Sequence, residues 1–388
     1  MKNVLLMNSI ADSGIEQFDY TRYHLSTDEE DPDLILVRSA SLHDREVNPS
    51  LKAIGRAGAG VNNIPVEALA EKGVVVFNTP GANANGVKEL AIAALLLSAR
   101  DIYDGIKWVN SLEPSPEVAK RVEKEKARFA GIELAGKTLG VIGLGAIGGM
   151  VANTALELGM KVIGYDPFMS VEAAWKLSSN VKKASGFDEI YRRSDFISIH
   201  VPSTKDTKGM LSAAAFAQMK DGVRLINLAR GDLVKTADLK EAMENGRIAR
   251  YVTDFPDADT INHPGIVAIP HLGASTNESD ENCARMAARQ LIDYVENGNI
   301  KNSVNYPTVV LDRGSCTRIG VMHHNRPGVI SGISTAVASH GFNIEHMVSG
   351  NKNDMGYMIV DVHGDIPASL IEDIDAIDGV IRALVFKG

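Results

Sequence analysis

A short glycine-rich turn in the middle of the chain limits the possible folds more than any other feature. Gly143, Gly145 and Gly148 follow the apolar run KTLGVI and open the helical stretch IGGMVANTALELG. The next apolar run, KVIGYDP, places Asp166 18 residues after Gly148 (166 − 148). In a strand–turn–helix unit with this spacing, backbone N–H groups approach a pyrophosphate and the acid accepts hydrogen bonds from an adenosine ribose. The pattern predicts a dinucleotide site, and Asp166 favours NAD over NADP because a carboxylate repels a 2′-phosphate.

The first helical residues after the turn belong to the same expected site. Ala146 and Ile147 lie where backbone N–H groups lack helical partners and the helix carries partial positive charge. An anion is stabilised at such a position. We therefore expect both residues to contact the cofactor together with the three glycines.

Apolar runs alternate with helical stretches over most of the chain. Strands are predicted in NVLLM, DLILVRSA, LKAIGRAG, GVVVFNTP, KTLGVIGLG, KVIGYDP, DFISIHVP, VRLINLARG, ARYVTDFP and GIVAIPH. One long helix is expected in NGVKELAIAALLLSARDIYDGIKWV and another in ENCARMAARQLIDYVENG. Continuous Val/Ile/Leu strands separated by helices indicate parallel sheets covered on both faces.

Composition excludes several classes of protein. A chain of 388 residues predicts two or three domains, and the net charge of −9 argues against nucleic acid or an anionic membrane as partner. No apolar run reaches the length of a membrane span or a secretion signal. The two cysteines, Cys283 and Cys316, stand in no metal-ligand spacing. These features predict a cytoplasmic protein without a metal site.

The sequence pattern changes near the C-terminus. Residues 299–315 lack helical periodicity and contain Pro, Asn and Gly, which is typical of a linker. From Thr317 onward the order is strand, helix, two strands, helix and a last strand, VIRALVFK. This βαββαβ order is that of a ferredoxin-like module.

Longer motifs carry a resemblance to a known family. GKTLGVIGLGAIGGMVA, GYDP, ISIHVPST, LINLARGDLV and PHLGAST resemble the D-2-hydroxyacid dehydrogenases, and NRPGVI with the rest of residues 317–388 resembles an ACT regulatory domain. The combination is similar to the family's phosphoglycerate dehydrogenases, which oxidise 3-phosphoglycerate with NAD in the first step of L-serine biosynthesis. The implied fold class is α/β, with two doubly wound parallel-sheet (Rossmann-like) domains plus the ferredoxin-like ACT domain.

The resemblance also implies domain boundaries. The expected substrate-binding domain is discontinuous and covers 1–95 and 282–310, and the NAD-binding domain covers 96–281. A linker over 311–316 precedes the ACT domain over 317–388.

The family's catalytic residues map onto two clear positions and one ambiguous one. Its arginine falls on Arg230 in NLARG and its histidine on His271 in PHLGAS. A guanidinium can bind the carboxylate and C2 oxygen of a 2-hydroxy acid, and imidazole suits exchange of the hydroxyl proton. The position of the family's glutamate, which hydrogen-bonds the histidine, falls within the segment VTDFPDADT. Counting from Asp254 selects Asp259, our choice, whereas matching on Phe255-Pro256 selects Ala258 with Asp257 and Asp259 on either side.

Further site residues follow from the resemblance alone. Pro202, Ala229 and Asp254 are implied in binding NAD, with Asp254 facing the nicotinamide. The backbone N–H groups of Ala59 and Gly60 are implied in binding the substrate carboxylate. Three basic side chains could hold the anionic groups: Arg56, Lys88 and Arg38.

The ACT resemblance implies an effector site and subunit pairing. His323, Asn325 and Asn343 match the positions that hold L-serine in serine-sensing ACT domains, and a homodimer or homotetramer is expected. Two alternatives remain open. One is another D-2-hydroxyacid dehydrogenase, of the glyoxylate or hydroxypyruvate reductase type, and the other is an NAD-sensing corepressor-like binding protein.

Overall fold

The computed structural model describes residues 1–386 and divides the chain into two compact units. The first unit combines Met1–Asn83 with the chain from Asn277 onward, and the second is Ala84–Thr276. These divisions fall 12 residues before the expected boundary at 95 (95 − 83) and five before that at 281 (281 − 276). The predicted ACT domain, whose last two residues lie outside the described ones, belongs to the first unit.

The N-terminal part of the first unit is a five-stranded sheet whose strands are all parallel, in the order β2-β1-β3-β4-β5. Alternate side chains of β3 enter two different apolar clusters, so both faces of this sheet are buried, as the apolar runs predict. The edge strand β2 was missed because YHLS lacks an apolar run. The elements are β1 (Lys2–Met7), α1 (Asp12–Ile15), β2 (Tyr23–Ser26), β3 (Leu34–Val37), β4 (Ala53–Arg56), α2 (Val66–Ala70) and β5 (Val75–Phe77).

The second unit begins with helices where one long helix is expected. α3 (Ala84–Ala99) and α4 (Ile102–Asn110) are separate because the N–H of Ile132 donates to the carbonyl of Ala99 at 2.9 Å and closes the first helix. Since α3 packs on α6, β10 and β11, its residues belong to the second unit and not to the predicted substrate domain. α5 (Val118–Glu125) and a short 3₁₀ helix, Lys126–Phe129, follow.

A seven-stranded parallel sheet, β12-β11-β10-β9-β6-β7-β8, forms the rest of the second unit. The chain order reverses between β6 and β9, and ligands bind at such reversals in doubly wound sheets. The elements are β6 (Thr138–Ile142), α6 (Ala146–Glu157), β7 (Lys161–Tyr165), α7 (Val171–Lys176), β8 (Lys182–Lys183), α8 (Phe187–Arg193), β9 (Phe196–Ile199), α9 (Ala213–Phe216), β10 (Val223–Asn227), a 3₁₀ helix (Gly231–Leu233), α10 (Thr236–Glu244), β11 (Ile248–Thr253) and β12 (Ile266–Ala268).

The chain returns to the first unit along α11 (Asn277–Asn297), which covers one face of the five-stranded sheet. The segment after α11 has irregular structure, as predicted, but it packs against the rest of the first unit and does not extend into solvent. Tyr306 is fully buried, and the side chain of Asn305 hydrogen-bonds the backbone of Val74 and Val76 beside β5.

The C-terminal module is an antiparallel sheet of order β14-β15-β13-β16, which confirms the ferredoxin-like prediction. Apolar residues of α12 and α13 pack on one face of the sheet. The elements are β13 (Thr317–His324), α12 (Val329–Ser339), β14 (Ile344–Lys352), β15 (Met355–Val362), α13 (Ala368–Asp375) and β16 (Val380–Phe386).

The other face of the module's sheet packs against α11 and the N-terminal part of the unit. Met322, Tyr357 and Phe386 share one apolar cluster with Leu291 and Tyr294 of α11. Polar contacts lie within the same interface, since the Tyr357 hydroxyl donates to the carbonyl of Gly298 at 2.7 Å. The C-terminal module therefore shares one continuous apolar core with α11 and the N-terminal part of the first unit. Over the described part of the chain, no helix is long and apolar enough to cross a membrane.

Candidate active site

The glycine turn after β6 has a geometry that only small residues permit. Gly143 has φ of 87°, a left-handed conformation that favours glycine. A Cβ on Gly148 would overlap the carbonyl oxygen of Gly143, so the helix start could not approach the turn with a larger residue. Gly145, by contrast, is exposed and has no neighbouring atom within 4 Å of an added Cβ. The buried side of the turn excludes larger side chains, whereas Gly145 and Ala146 are exposed.

Asp166 is held directly beside this turn. Its Oδ2 accepts a hydrogen bond from the N–H of Leu144 at 2.8 Å, and its Oδ1 accepts one from the N–H of Phe168 at 2.9 Å. Each carboxylate oxygen can accept a further bond. An open glycine turn at a helix N-terminus, with an anchored acid at the next strand end, fits the pyrophosphate and ribose of NAD. Exposed Pro202 follows β9 on the other side of the reversal.

Replacing Gly145 by valine is expected to weaken NADH binding about tenfold or more while leaving the fold intact. The valine side chain has open space around it in the protein, but it occupies the space through which a pyrophosphate approaches the backbone. Titration of NADH fluorescence measures the affinity. Gly149→Ala is the matched control, because its Cβ makes only ordinary contact, 3.5 Å from the carbonyl of Leu144. Equal affinity of the two variants would contradict this placement of the pyrophosphate.

Arg230 stands on a turn built by a buried amide. Asn227 is fully buried at the end of β10, where its side chain donates to the carbonyl of Arg230 at 2.9 Å and to the hydroxyl of Tyr251 at 3.1 Å. Its Oδ1 accepts from the N–H of Ala229 at 3.2 Å. The Arg230 guanidinium is exposed and, among the described residues, donates to the carbonyl of Ala229 at 2.7 Å, so it is available to an anionic ligand.

His271 lies against a buried carboxylate. Its Nδ1 is 3.3 Å from Oδ2 of Asp254, which follows β11 and is 1% exposed, whereas the His271 side chain is 60% exposed. The Phe255 ring lies 4.7 Å from the imidazole, centroid to centroid. Burial raises the pKa of Asp254, while His271, nearby backbone N–H groups and Arg230 oppose that shift. The pair places an exposed imidazole beside a buried carboxylate, an arrangement that suits proton transfer.

The structure corrects the choice of Asp259 as the partner of His271. The Asp259 carboxylate is exposed and forms an ion pair with Lys240 at 2.8 Å, which also lowers its pKa. Asp257 is used within its own loop, where Oδ1 accepts from Thr260. Asp254 occupies the position beside His271 because β11 ends directly before it, whereas the following loop turns Asp259 toward Lys240 of α10.

His200 illustrates a histidine of the opposite kind. It is packed beneath the glycine turn, its Nε2 lies 2.8 Å from the Ser198 hydroxyl, and burial lowers its pKa to about 4. It is therefore neutral at physiological pH and serves the packing of the turn.

In the first unit, Arg56 is folded over its own loop. A Cβ on Gly58 would overlap the Arg56 guanidinium, and Nε of Arg56 is buried without a hydrogen-bond partner. Burial lowers the pKa of this arginine. Ala59 and Gly60 are exposed at the end of the loop. Lys88, in contrast, lies in the second unit with Nζ 3.5 Å from a carboxylate oxygen of Glu89.

A second arginine faces the chain reversal of the five-stranded sheet. The order reverses between β1 and β3, and a cavity of about 250 Å³ at their ends is lined by Ser9, Arg38, Ala57 and Asp280 among others. Arg38 forms an ion pair with Asp280 at 2.8 Å. No local sequence motif predicts a role for Asp280, because Asp280 and its partner Arg38 are far apart in the sequence.

The three expected effector residues have different environments. His323 is buried in the module's sheet, with Nδ1 2.8 Å from the carbonyl of His324 and Nε2 without a partner. Asn325 is exposed before α12, and Asn343 is exposed with its amide 3.0 Å from the carboxylate of Glu345.

Comparisons with known proteins bear on both parts of the chain. Residues 92–273 match the D-isomer specific 2-hydroxyacid dehydrogenase, NAD binding domain, and residues 319–382 match the AHAS small subunit-like ACT domain. The chain is 39% identical over 285 residues to "D-3-phosphoglycerate dehydrogenase" of Archaeoglobus fulgidus; the match covers 71% of this chain and 52% of the relative. The chain thus spans about half the length of that relative.

A solved structure has a similar fold, and a second relative matches this chain over a longer stretch. The fold is similar to NAD⁺-bound 3-phosphoglycerate dehydrogenase of Entamoeba histolytica, with a TM-score of 0.58 and 26% identity over 78% of this chain and 98% of the other. "Putative D-3-phosphoglycerate dehydrogenase" of Schizosaccharomyces pombe is 34% identical over 352 residues, 84% of this chain and 71% of the relative. At that identity and coverage, the chain belongs to the D-isomer specific 2-hydroxyacid dehydrogenase family and carries that family's NAD-binding domain.

Proposed function

We propose that the protein oxidises 3-phosphoglycerate to 3-phosphohydroxypyruvate with NAD, the first step of L-serine biosynthesis. The observation that carries the proposal is the approach of exposed His271 to buried Asp254, with Nδ1 3.3 Å from Oδ2, in the same unit as the glycine turn. The relatives named as phosphoglycerate dehydrogenases support the choice of substrate.

The proposed chemistry assigns one task to each side chain. NAD, held at the glycine turn and Asp166, would supply the acceptor for the hydride that leaves the substrate's C2. As the C2–H bond breaks, Nε2 of His271 accepts the C2 hydroxyl proton, and the C2–O bond becomes the carbonyl. Asp254 holds the ring through Nδ1 and stabilises the imidazolium that forms. Arg230 binds the carboxylate and C2 oxygen with its planar guanidinium.

Anionic groups of the substrate need further donors. We assign the carboxylate to the N–H groups of Ala59 and Gly60, which are exposed, and the phosphate to Arg56 and Arg38. The unpartnered Nε of Arg56 supports its assignment, because a buried donor without a partner costs free energy that a ligand anion would recover. Lys88 remains a weaker candidate, since Glu89 already offsets its charge.

NADH formation from 3-phosphoglycerate, with D-glycerate and D-lactate as comparison substrates, tests the activity. Turnover restricted to 3-phosphoglycerate is the expected result. Preference for an unphosphorylated hydroxy acid would replace the proposal by another dehydrogenase of the family, and NADH binding without turnover on any substrate would favour a cofactor-sensing binding protein.

Replacing Asp254 by asparagine is expected to lower kcat about tenfold or more, because the base loses the carboxylate beside it. The carboxylate stabilises the protonated imidazole, and asparagine does not. Because burial raises the folded-state pKa of Asp254, its charge disfavours folding above that pKa. We therefore expect higher thermal stability of the variant at neutral pH, with lower activity. Lower stability and lower activity together would indicate a merely structural residue, and Asp259→Asn serves as the control carboxylate.

The ACT domain supports a proposal of feedback inhibition by L-serine. We assign the ligand to His323, Asn325 and Asn343, because each offers a hydrogen-bonding group and Nε2 of His323 is buried without a partner. Asn343→Ala is expected to raise the serine concentration for half inhibition about tenfold at unchanged basal turnover. Steady-state rates against serine concentration measure this, and inhibition that is identical in the variant would overturn the assignment.

Subunit pairing and location complete the proposal. α4 exposes Ile102, Tyr103, Ile106 and Val109, an apolar row that a homodimer or homotetramer would cover. Sedimentation velocity distinguishes these states from a monomer. The cytoplasm is the proposed compartment, since Cys283 and Cys316 are both buried, unpaired thiols.

A further inference from the structure

The outward face of α11 and the segment after it carry three cationic side chains without a carboxylate partner in the described part of the chain. These are Arg285, Arg289 and Lys301, and they line one cavity of about 530 Å³. Small-molecule sites in proteins occupy roughly 300–1,000 Å³, so the cavity can hold a metabolite.

Neutral amides from distant segments build the frame of this cavity. The Gln290 amide donates to the carbonyl of Asn78 at 2.9 Å, and the Asn302 amide donates to Oε1 of Gln290 at 2.7 Å. Asn302 has φ of 59°, a left-handed conformation that costs free energy and is uncommon outside glycine. The frame is therefore pre-formed by a hydrogen-bonded chain and does not consist of free surface side chains.

The guanidinium groups are also positioned before any ligand arrives. Nε of Arg289 donates to Oε1 of Gln17 at 2.9 Å, which leaves both terminal nitrogens available. An Nη of Arg285 donates to Oδ1 of Asn282 at 3.0 Å. Both partners are neutral, so they orient the two arginines without compensating their charge.

One acidic residue, Asp293, lines the cavity, and side-chain amides already hydrogen-bond its carboxylate. Asp293 accepts hydrogen bonds from the side chains of Asn297 at 2.8 Å and Asn299 at 3.2 Å. Three cations and one acid leave a formal lining charge of +2 (3 − 1), in a chain whose net charge is −9. Such a local excess of positive charge attracts a dianion.

This cavity is distinct from the Arg38 cavity. Ala284 and Asp280 of α11 line the Arg38 cavity, whereas Arg285 and Arg289 line this one. With about 100° of rotation per helical residue, Arg289 lies about 140° around α11 from Ala284. The two cavities therefore open on different sides of the helix.

We propose that this cavity, framed by Arg285, Arg289 and Lys301, is a second anion site of the first unit, and that it binds a small phosphate-bearing metabolite. Two arginine forks match the geometry of phosphate oxygens, and the lysine supplies a third charge. The site is independent of the substrate-binding residues assigned above, since it shares no residue with them.

Isothermal titration with inorganic pyrophosphate, in the intact protein at low ionic strength, tests the proposal. The triple variant R285Q/R289Q/K301Q is expected to bind pyrophosphate about tenfold or more weakly, with unchanged turnover on 3-phosphoglycerate. The control K161Q/K182Q/K183Q removes the same charge from exposed positions of the second unit and is expected to bind like the unaltered protein. Malonate serves as the carboxylate arm and is expected to bind more weakly than pyrophosphate.

Three outcomes would overturn the proposal. They are equal pyrophosphate affinity in the triple variant and its control, tighter binding of malonate than of pyrophosphate, and a change of oligomeric state in the triple variant. The last result would identify this face as a contact with a second copy of the chain. The thermal midpoint of each variant without ligand verifies that it folds.

Discussion

Replacement of His271 by alanine is expected to lower kcat for 3-phosphoglycerate oxidation by about 10²–10⁴-fold, the usual contribution of a positioned acid–base group. The His271 side chain is 60% exposed, and its Nδ1 lies 3.3 Å from Oδ2 of Asp254. Its removal takes away the acceptor of the hydroxyl proton, whereas the glycine turn and Asp166 are untouched. NADH affinity is therefore expected to stay within about twofold, within the usual scatter of surface substitutions. Stopped-flow and steady-state NADH absorbance measure both quantities.

His263 provides the matched control for that experiment. It lies eight residues before His271 (271 − 263), is half-buried, and has Nδ1 2.8 Å from the carbonyl of Pro264. His263→Ala is expected to leave kcat unchanged because, in the described part of the chain, no carboxylate pairs with this ring. A similar loss of kcat in both variants, or full activity of His271→Ala, would refute the assigned proton transfer.

Replacement of Arg318 by leucine is expected to lower the free energy of unfolding of the first unit by about 3–5 kcal/mol, the usual cost of breaking a buried ion pair. Arg318 is fully buried and bonds both oxygens of Asp361, at 2.7 and 2.8 Å. It also donates to the carbonyls of Asn297, Leu311 and Asp312. The variant leaves a buried carboxylate and three acceptors without their donor. Urea unfolding followed by circular dichroism measures the loss.

Two further variants separate the ion pair from general damage to the core. R318L/D361L removes both charges, so it is expected to be more stable than Arg318→Leu alone. Arg193→Leu breaks a surface pair in which Arg193 is exposed and Glu189 is half-buried, and it is expected to change the stability very little. If the double variant is no more stable than the single one, the isolated Asp361 charge is not the cause.

The packing of α3 and of the C-terminal module explains why the compact units differ from the expected domains. The boundaries at 95 and 281 followed the family resemblance, but α3 buries its apolar residues in the second unit, and the C-terminal module shares a core with α11. Neither packing is encoded in a local pattern. The short strands β2 and β8 were missed for a related reason, since edge strands of two to four residues lack a recognisable period.

The sequence by itself determined the parallel sheets, the glycine turn with Asp166, the ferredoxin-like module and the positions of Arg230 and His271. Each depends on residues close together in the chain, where strand periodicity, turn chemistry and helix starts act locally. Only the tertiary structure decided that Asp254 rather than Asp259 lies beside His271, that Arg38 pairs with Asp280, and that α11 presents Arg285 and Arg289 to a cavity. Those contacts depend on strand order, on the course of loops and on which side of a helix is buried. They arise when the whole chain packs, because burial and charge compensation act between segments that are distant in sequence.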